Sequence, residues 1–162
     1  GVEKAAIGFA AFKYPEIIEE AVKSFGRQSI VGVLDIKKTG FKKRYQTMVL
    51  NGSLKTNMDA IEYARHLMNI GVGEILLQNI DLDGRMEGFD IELISNLYET
   101  IDIPLTVLGG AGSLNDIKNL IDKFKIIGVA AGSLFVFKGK HKAVLINYPD
   151  NDQKKILLSG KN

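Results

Sequence analysis

Short apolar segments of the chain alternate with segments in which apolar residues recur every three or four positions. The first kind predicts β-strands and the second predicts amphipathic α-helices. Apolar runs without polar alternation are typical of strands covered on both faces, as in parallel sheets. The strands are expected at residues 3–11, 29–35 and 73–80, and at the starts of the segments 104–113 and 126–133. An α/β fold of about five strand–helix units follows from this pattern.

Helices are predicted after each strand. Pro15 opens the first helix and Gly26 follows its end. Asn57 is placed to cap the next helix and Asp90 the one after it. Ser113, with an aspartate three residues later, resembles a capping box for the fourth. A short helix is expected at residues 134–137.

An insertion interrupts the second strand–helix unit. The pairs Thr39-Gly40 and Asn51-Gly52 are turn signals on either side of residues 41–50, so a β-hairpin is predicted near 39–52. The polar end of the chain from Asp150 is expected to be irregular.

Two similar segments suggest an anion site. Residues 104–113 read PLTVLGGAGS and residues 126–133 read IIGVAAGS, each a strand followed by a turn of small residues and a helix. Such a turn leaves backbone N–H groups uncovered at a helix N-terminus. Gly109 and Gly110 in the first turn, and Gly132 and Ser133 in the second, are the candidate phosphate ligands. Paired turns after late strands form the phosphate site of many (β/α)₈ barrels, whereas a tight turn without ligand is the alternative.

Aspartates end two of the apolar strands. Asp35 follows the second strand, and Asp81 and Asp83 with Gly84 follow the third. Because parallel strands end at one edge of a sheet, these carboxylates are expected at a common rim. Carboxylates grouped in this way suit general acid/base catalysis. The structural alternative is an Asx turn made by Asp81 or Asp83 with Gly84.

Length and composition limit the architecture. The 162 residues, 46% of them hydrophobic, are enough for a single domain over residues 1–162. A closed eight-unit barrel needs about 250 residues, so a partial barrel is predicted. The first strand begins without a preceding turn or cap, as expected if earlier strands are missing. A partial barrel exposes sheet edges, and we therefore expect self-association of the isolated chain.

Charge and residue types exclude several function classes. The net charge is +2, with basic residues scattered among acidic ones, so no nucleic-acid surface is predicted. Cysteine is absent and the two histidines, His66 and His141, are far apart, which argues against a metal site or a Ser-His-Asp triad. No apolar run approaches the roughly 18 residues of a membrane span, and a cytoplasmic protein is predicted. One basic cluster remains, either a solvated hairpin or an anion-steering loop, formed by Lys37, Lys38, Lys42, Lys43 and Arg44.

Five segments together resemble one family. EKAAIGFAAFKYPEII, VGVLDIKK, GEILLQNIDLDGRMEGFD, LGGAGS and AAGSLFVF follow the order and spacing of the cyclase subunit of imidazole glycerol phosphate synthase, the HisF family, from about its fourth strand to its eighth. The resemblance implies a (β/α)₈ TIM barrel of the ribulose-phosphate-binding type, present here in part. It also implies a synthase that joins ammonia to a bisphosphorylated ribulosyl formimino carboxamide ribonucleotide, with no metal or organic cofactor.

The resemblance also assigns roles to residues. Asp35 matches one of two catalytic aspartates, whose partner lies on a family strand that this chain does not contain. Asp83 matches the aspartate that binds the glycerol portion of the substrate, and Gly110, Gly132 and Ser133 match the phosphate site. At the opposite barrel end, Lys4 and Glu74 match a charged gate where ammonia enters from a glutaminase (HisH-like) subunit.

Some residues depart from the family pattern. Gly8-Phe9, Gln78-Asn79 and Leu108 stand where small polar residues are usual, and residues 130–149 look more like HisF-like paralogues that amidate a surface-polysaccharide sugar. Two alternatives therefore stay open beside the cyclase. One is such a paralogue, and the other is a non-catalytic fragment that binds phosphate or a partner. Because the second catalytic aspartate is missing, the chain by itself is expected to lack cyclase activity.

Overall fold

The computed structural model describes residues 1–40, 44–139 and 141–159. Its centre is a sheet of five parallel strands in the order β1, β2, β5, β6, β7. Two further strands, β3 and β4, extend β2 in antiparallel fashion. The strands are β1 Ala5–Ile7, β2 Ile30–Thr39, β3 Arg44–Val49, β4 Leu54–Asp59, β5 Glu74–Asn79, β6 Leu105–Leu108 and β7 Gly128–Ala130, with a small separate pair, β8 Phe137–Lys138 and β9 Ala143–Val144.

A helix follows each parallel strand in sequence, which confirms the prediction of an α/β fold with about five strand–helix units. The helices are α1 Phe9–Lys13, α2 Pro15–Phe25, α3 Ala60–Asn69, α4 Ile91–Thr100, α5 Leu114–Phe124, α6 Ser133–Val136 and α7 Asn151–Leu158. In the described part of the chain, no helix is long and apolar enough to cross a membrane.

The two faces of the sheet differ in burial. Along β5, Ile75 and Leu77 are buried, whereas Glu74, Leu76 and Gln78 are only partly buried. Side chains alternate between the faces of a strand, so the buried set packs under the helices and the other set faces away from them. The buried set joins the main core with side chains such as Leu67 of α3. The second face is the one that carries the candidate site.

The first predicted strand is shorter than expected. The strand prediction for residues 3–11 is wrong after Ile7, because Gly8 precedes α1 and Phe9 is its first residue. Phe9 therefore lies in a helix, outside the sheet. Pro15 then opens α2 with its fixed φ angle, as the sequence predicts.

The insertion is a three-stranded meander. Strand β2 continues to Thr39 and pairs with β3, which pairs with β4 after a turn that includes Gly52. The capping prediction for Asn57 is wrong, since Asn57 lies in β4 and Asp59 caps α3. The Asp59 carboxylate accepts the backbone N–H groups of Ile61 and Glu62, and the Glu62 side chain completes a capping box.

The end of the chain is helical, so the prediction of an irregular segment after Asp150 is wrong for residues 151–158. Asp150 caps α7 in a second capping box with Gln153. Leu157 of this helix is buried beside Ile117 of α5. The helix is thus held by a local cap and by apolar packing of Leu157 against α5.

Candidate functional site

The register of the sheet aligns the carboxyl ends of β5, β6 and β7 with Asp35 of β2. The prediction that this strand ends at Asp35 is wrong, because β2 continues to Thr39 in its pairing with β3. Asp35 of β2 pairs with Gln78 of β5, Gln78 with Leu108 of β6, and Leu108 with Ala130 of β7. These four residues form one row on the sheet face away from the helices. The loops that follow the strands therefore meet at one edge of the sheet, which we call the mouth.

Asp35 has an unusual environment for a carboxylate. It is partly buried, and its Oδ1 atom is inaccessible to solvent and has no hydrogen-bond partner among the described residues. Burial raises the pKa of Asp35 above its ordinary value. A higher pKa makes the carboxylate a stronger base, which suits a general acid/base.

Asp83 is connected to Asp35 through one intermediate residue, Gln78. The Nε2 atom of Gln78, the register neighbour of Asp35, donates a hydrogen bond to Oδ2 of Asp83 at 3.1 Å. In the sequence, Gln78 stands out only as a departure from the family pattern near the substrate, and its bond to Asp83 was not predicted. Its position three residues before Asp81, on the same strand face as Glu74, is the signal that could have identified it.

Asp81 points toward the insertion. Its Oδ2 accepts the backbone N–H of Lys38 at 2.7 Å. The Asx turn expected of Asp81 or Asp83 is made instead by Asn79, whose side chain accepts the backbone N–H of Asp81 at 3.2 Å. The structure thus bonds Asp83 to Gln78, the register neighbour of Asp35, and bonds Asp81 to Lys38 of β2. A substrate role for Asp81 stays a prediction.

The first glycine turn packs closely on the loop after β5. A Cβ atom at Gly109 would lie 2.6 Å from the Asn79 carbonyl oxygen, and one at Gly110 would lie 2.1 Å from that of Gly88. Both glycines have positive φ angles, 96° and 111°. Gly88 also donates its N–H to the Gly110 oxygen at 2.7 Å. Only glycine fits these positions, so this turn and the β5–α4 loop form one unit.

The second glycine turn is more open. A Cβ atom at Gly132 would meet no described atom within 4 Å, whereas one at Gly84 would lie 3.6 Å from Ser133 Oγ. Gly84 and Ser133 are therefore neighbours across the mouth.

The first turn leads into the cap of α5. The Asp116 carboxylate accepts the N–H of Gly112 at 3.1 Å, and the Asp116 N–H donates to Ser113 Oγ at 3.1 Å. This cap resembles the predicted capping box, with Gly112 as the donor to the carboxylate.

Lys4 and Glu74 meet at the opposite end of the strands. Lys4 Nζ lies 2.5 Å from Glu74 Oε2, and Thr106 Oγ1 donates to Glu74 Oε1 at 2.6 Å. Burial opposes ionisation of Glu74, yet the bonds from Lys4 and Thr106 and the charge of Lys4 prevail and lower its pKa. The three residues line a cavity of about 360 Å³ that also includes Lys125 and Gly128. Thr106 was not predicted, because its partner lies on another strand.

The basic cluster is divided between several environments. Lys38 is paired, with Nζ 2.9 Å from Asp90 Oδ2, while Lys37 is exposed at the surface. Arg44 begins β3. Lys42 and Lys43 lie outside the described residues.

His66 stacks on Tyr63, with ring centroids 5.8 Å apart. Across the described ranges, no group of three or more histidine or acidic side chains is arranged to hold a metal ion.

Parallel strands that are each followed by a helix, with acidic and glycine-rich loops grouped at their carboxyl ends, define the (β/α)-barrel class of proteins. A family model described as "Histidine biosynthesis protein" matches residues 1–142. The chain belongs to this histidine biosynthesis protein family, and curated relatives that match it are named as HisF subunits. The resemblance read from the sequence is thereby confirmed.

Three relatives illustrate the match. "Putative imidazole glycerol phosphate synthase subunit hisF3" of Vibrio vulnificus is 47% identical over 158 residues, which is 98% of this chain and 61% of the relative. "Putative imidazole glycerol phosphate synthase subunit HisF" of Leptospira borgpetersenii is 48% identical over 158 residues, which is 98% of this chain and 62% of the relative. "Imidazole glycerol phosphate synthase subunit HisF" of Leuconostoc mesenteroides is 39% identical over 137 residues, 85% of this chain and 54% of the relative. The chain spans little more than half the length of these relatives.

Proposed function

We propose that this chain forms the phosphate-binding and acid/base portion of an ammonia-using cyclase subunit of the imidazole glycerol phosphate synthase type. One observation carries the proposal. A half-buried aspartate, Asp35, lies in the same row as Gln78, whose amide holds Asp83, at the edge of the sheet where two glycine turns also end. Active sites of (β/α) barrels lie at this edge of the sheet.

Asp35 is proposed to move protons in the ring closure. The family reaction joins ammonia to a bisphosphorylated ribulosyl formimino carboxamide ribonucleotide and yields imidazole glycerol phosphate and an aminoimidazole carboxamide ribotide. Such a condensation needs proton transfers to and from nitrogen and oxygen. The raised pKa of Asp35, which results from burial, brings the carboxyl group nearer to the operating pH. Asp83, exposed and beside it, is proposed to bind hydroxyl groups of the glycerol portion.

The glycine turns are proposed to bind the substrate phosphate. Gly109 and Gly110 present backbone without side chains, and Gly132 has open space where a Cβ atom would be. Ser133 and Gly84 are in contact range across the mouth, so a phosphate here can be reached from both loops. Backbone N–H groups and a serine hydroxyl are the donors that a phosphate requires.

Ammonia is proposed to enter at the Lys4–Glu74 end from a glutaminase (HisH-like) partner. On β5, Glu74 and Gln78 are four residues apart on the same face, a distance of about 13 Å along a strand. Leu76 lies between them on that face, next to Val33 in the register. An apolar path favours neutral ammonia over ammonium.

The proposed compartment is the cytoplasm, in keeping with the absence of cysteine.

The composition of the mouth row also fits an ammonia acceptor other than the ribonucleotide. Leu108 and Ala130 occupy two of its four positions, so half of the row offers no side-chain hydrogen bond. An acceptor with fewer polar groups than the ribonucleotide fits such a floor. A HisF-like paralogue that amidates a surface-polysaccharide sugar is therefore the alternative.

The test measures turnover of the ribonucleotide with an ammonium salt, using the full chain encoded by the gene. Asp35→Asn is expected to lower kcat by about 100-fold or more, the usual contribution of a general acid/base. Asp122→Asn, an exposed aspartate on α5, is the control and should leave kcat unchanged.

Each other outcome identifies an alternative. Equal rates for the wild type and Asp35→Asn would show that the catalytic assignment is wrong. Ammonia-dependent amidation of a sugar, without turnover of the ribonucleotide, would select the paralogue. Phosphate binding without any turnover would select the non-catalytic fragment.

A further inference from the structure

We propose that Lys38 is a positioning residue that holds the β5–α4 loop, residues 80–90, in the place where Asp83 and Gly84 line the mouth. The inference rests on the proposed function for its kinetic consequence only. Its structural basis is a pair of bonds made by this one residue to the two ends of the loop.

The two bonds use different parts of Lys38. Its backbone N–H donates to Oδ2 of Asp81, at the start of the loop, at 2.7 Å. Its side-chain Nζ lies 2.9 Å from Oδ2 of Asp90, at the end of the loop. A single residue of β2 therefore fixes both ends of a loop that is distant from it in sequence.

Asp90 is itself held firmly. The Tyr45 hydroxyl lies 3.0 Å from both of its carboxylate oxygens, and the backbone N–H of Leu93 donates to Oδ1 at 3.3 Å as the cap of α4. The Asp90 side chain is only 12% exposed. Lys38 Nζ also lies 4.8 Å from the centre of the Tyr45 ring. Bonds to Asp90 and Tyr45 raise the pKa of Lys38, so it stays charged near neutral pH.

The loop depends on outside support because its own backbone is partly unfavourable. Gly84, Met86 and Gly88 have positive φ angles, and Met86, at 61°, pays a steric cost that glycine does not. The loop also touches both glycine turns, through the bond from Gly88 to Gly110 and the proximity of Gly84 to Ser133. A displacement of the loop would therefore move walls of the phosphate site.

Lys38 acts from outside the mouth. It is three residues after Asp35 on the same strand, and the continuous register from Asp35 to Thr39 shows no bulge between them. Its side chain therefore lies on the opposite face of β2 from Asp35. Lys38 reaches the proposed reacting atoms only through the loop.

The test compares Lys38→Met, which removes the charge and keeps the stem, with Lys38→Arg, which restores it. Lys118 has a similar exposure and pairs with Asp122 on α5, with no bond to the loop among the described residues, so Lys118→Met is the matched control. In the full chain, Lys38→Met is expected to raise KM for the phosphorylated substrate about tenfold, with kcat nearly unchanged, because a charge-assisted bond that positions a binding group is lost. Lys38→Arg should restore KM.

Two further measurements separate this proposal from the proposed function. Amide hydrogen exchange of residues 80–90 should be faster in Lys38→Met and normal in Lys118→Met. Inorganic phosphate, titrated by calorimetry, should bind more weakly to Lys38→Met, whether or not the protein turns over a substrate. Unchanged loop exchange together with unchanged phosphate affinity would overturn the positioning role, as would an effect on thermal stability alone.

Discussion

The two ends of the parallel strands hold acidic residues in opposite states. At the mouth, Asp35 has a buried oxygen without a described partner, and burial raises its pKa. At the other end, Glu74 is also partly buried, but two donors, Lys4 and Thr106, lower its pKa. Burial alone favours the neutral acid, and hydrogen bonds with a positive charge favour the carboxylate. The sheet therefore raises the pKa of an acid at one end and keeps a fixed negative charge at the other.

Nearby groups strengthen the contrast. Burial, and to a lesser extent the negative charge of Asp35, raises the pKa of Tyr63 to about 12. The Tyr63 hydroxyl is itself buried without a hydrogen-bond partner among the described residues. Within residues 1–40, 44–139 and 141–159, no ion pair compensates for the Asp35 charge in the way that Lys4 compensates for Glu74. Unsatisfied polar groups of this kind are concentrated at functional sites, where stability is exchanged for reactivity.

The largest stability effect is expected at the satisfied end. Glu74→Gln removes the negative charge that pairs with Lys4 and weakens the hydrogen bond from Thr106. It should therefore lower the free energy of unfolding at pH 7 by about 1 kcal/mol. The effect is no larger because Lys4 is exposed and its charge is screened by solvent. Because the pKa of Glu74 is lowered in the folded state, this contribution is present above its ordinary value of 4.5 and is lost as pH falls through the folded pKa. Urea unfolding at several pH values measures it.

A wild type and Glu74→Gln of equal stability at pH 7 would contradict the comparison at this end. Glu92→Gln, on the first turn of α4, serves as a control for the loss of an acidic side chain.

A smaller effect of opposite sign is expected at the mouth. Because the pKa of Asp35 is raised by folding, its favourable contribution is complete below the ordinary value of 3.8 and is lost as pH rises through the folded pKa. Asp35→Asn should therefore leave the protein equally stable or raise its free energy of unfolding at pH 7 by less than about 1 kcal/mol, while it lowers kcat by about 100-fold or more. Thermal unfolding with and without the substitution checks this sign. A clear loss of stability at pH 7 would show that the Asp35 charge is compensated in the folded protein.

The sequence was sufficient for features that depend on neighbouring residues. Apolar runs that stop at the glycine turns located the ends of β6 and β7, and Pro15 and Asp90 correctly marked helix starts. The strand predicted to end at Asp35 continues to Thr39, where it pairs with β3. These features are local, since one strand, its turn and its cap are contiguous in the chain.

Some contacts could not be predicted from the sequence. The bond from Thr106 to Glu74 depends on which side chains meet across the sheet, and a sequence does not show that register directly. The bond from Gln78 to Asp83 spans only five residues, but the sequence does not show how the loop after β5 folds back on the strand. In the sequence Lys38 is only a member of a basic cluster, because three strands and a helix separate it from its partner Asp90.

Local signals also competed with one another. Asn57 is a suitable cap residue, but β4 continues through it and Asp59, with Glu62 three residues later, is the better capping box. At the chain end, the capping box of Asp150 and Gln153 was present in the sequence. The helix after it buries only Leu157, so its apolar pattern is too weak to be recognised from periodicity.

The most direct test is to titrate the carboxyl groups of Asp35 and Glu74 by carbon-13 nuclear magnetic resonance in the same sample. We expect Asp35 to titrate above its ordinary value of 3.8 and Glu74 below its ordinary value of 4.5. An Asp35 that titrates at or below 3.8 would contradict its proposed role in proton transfer.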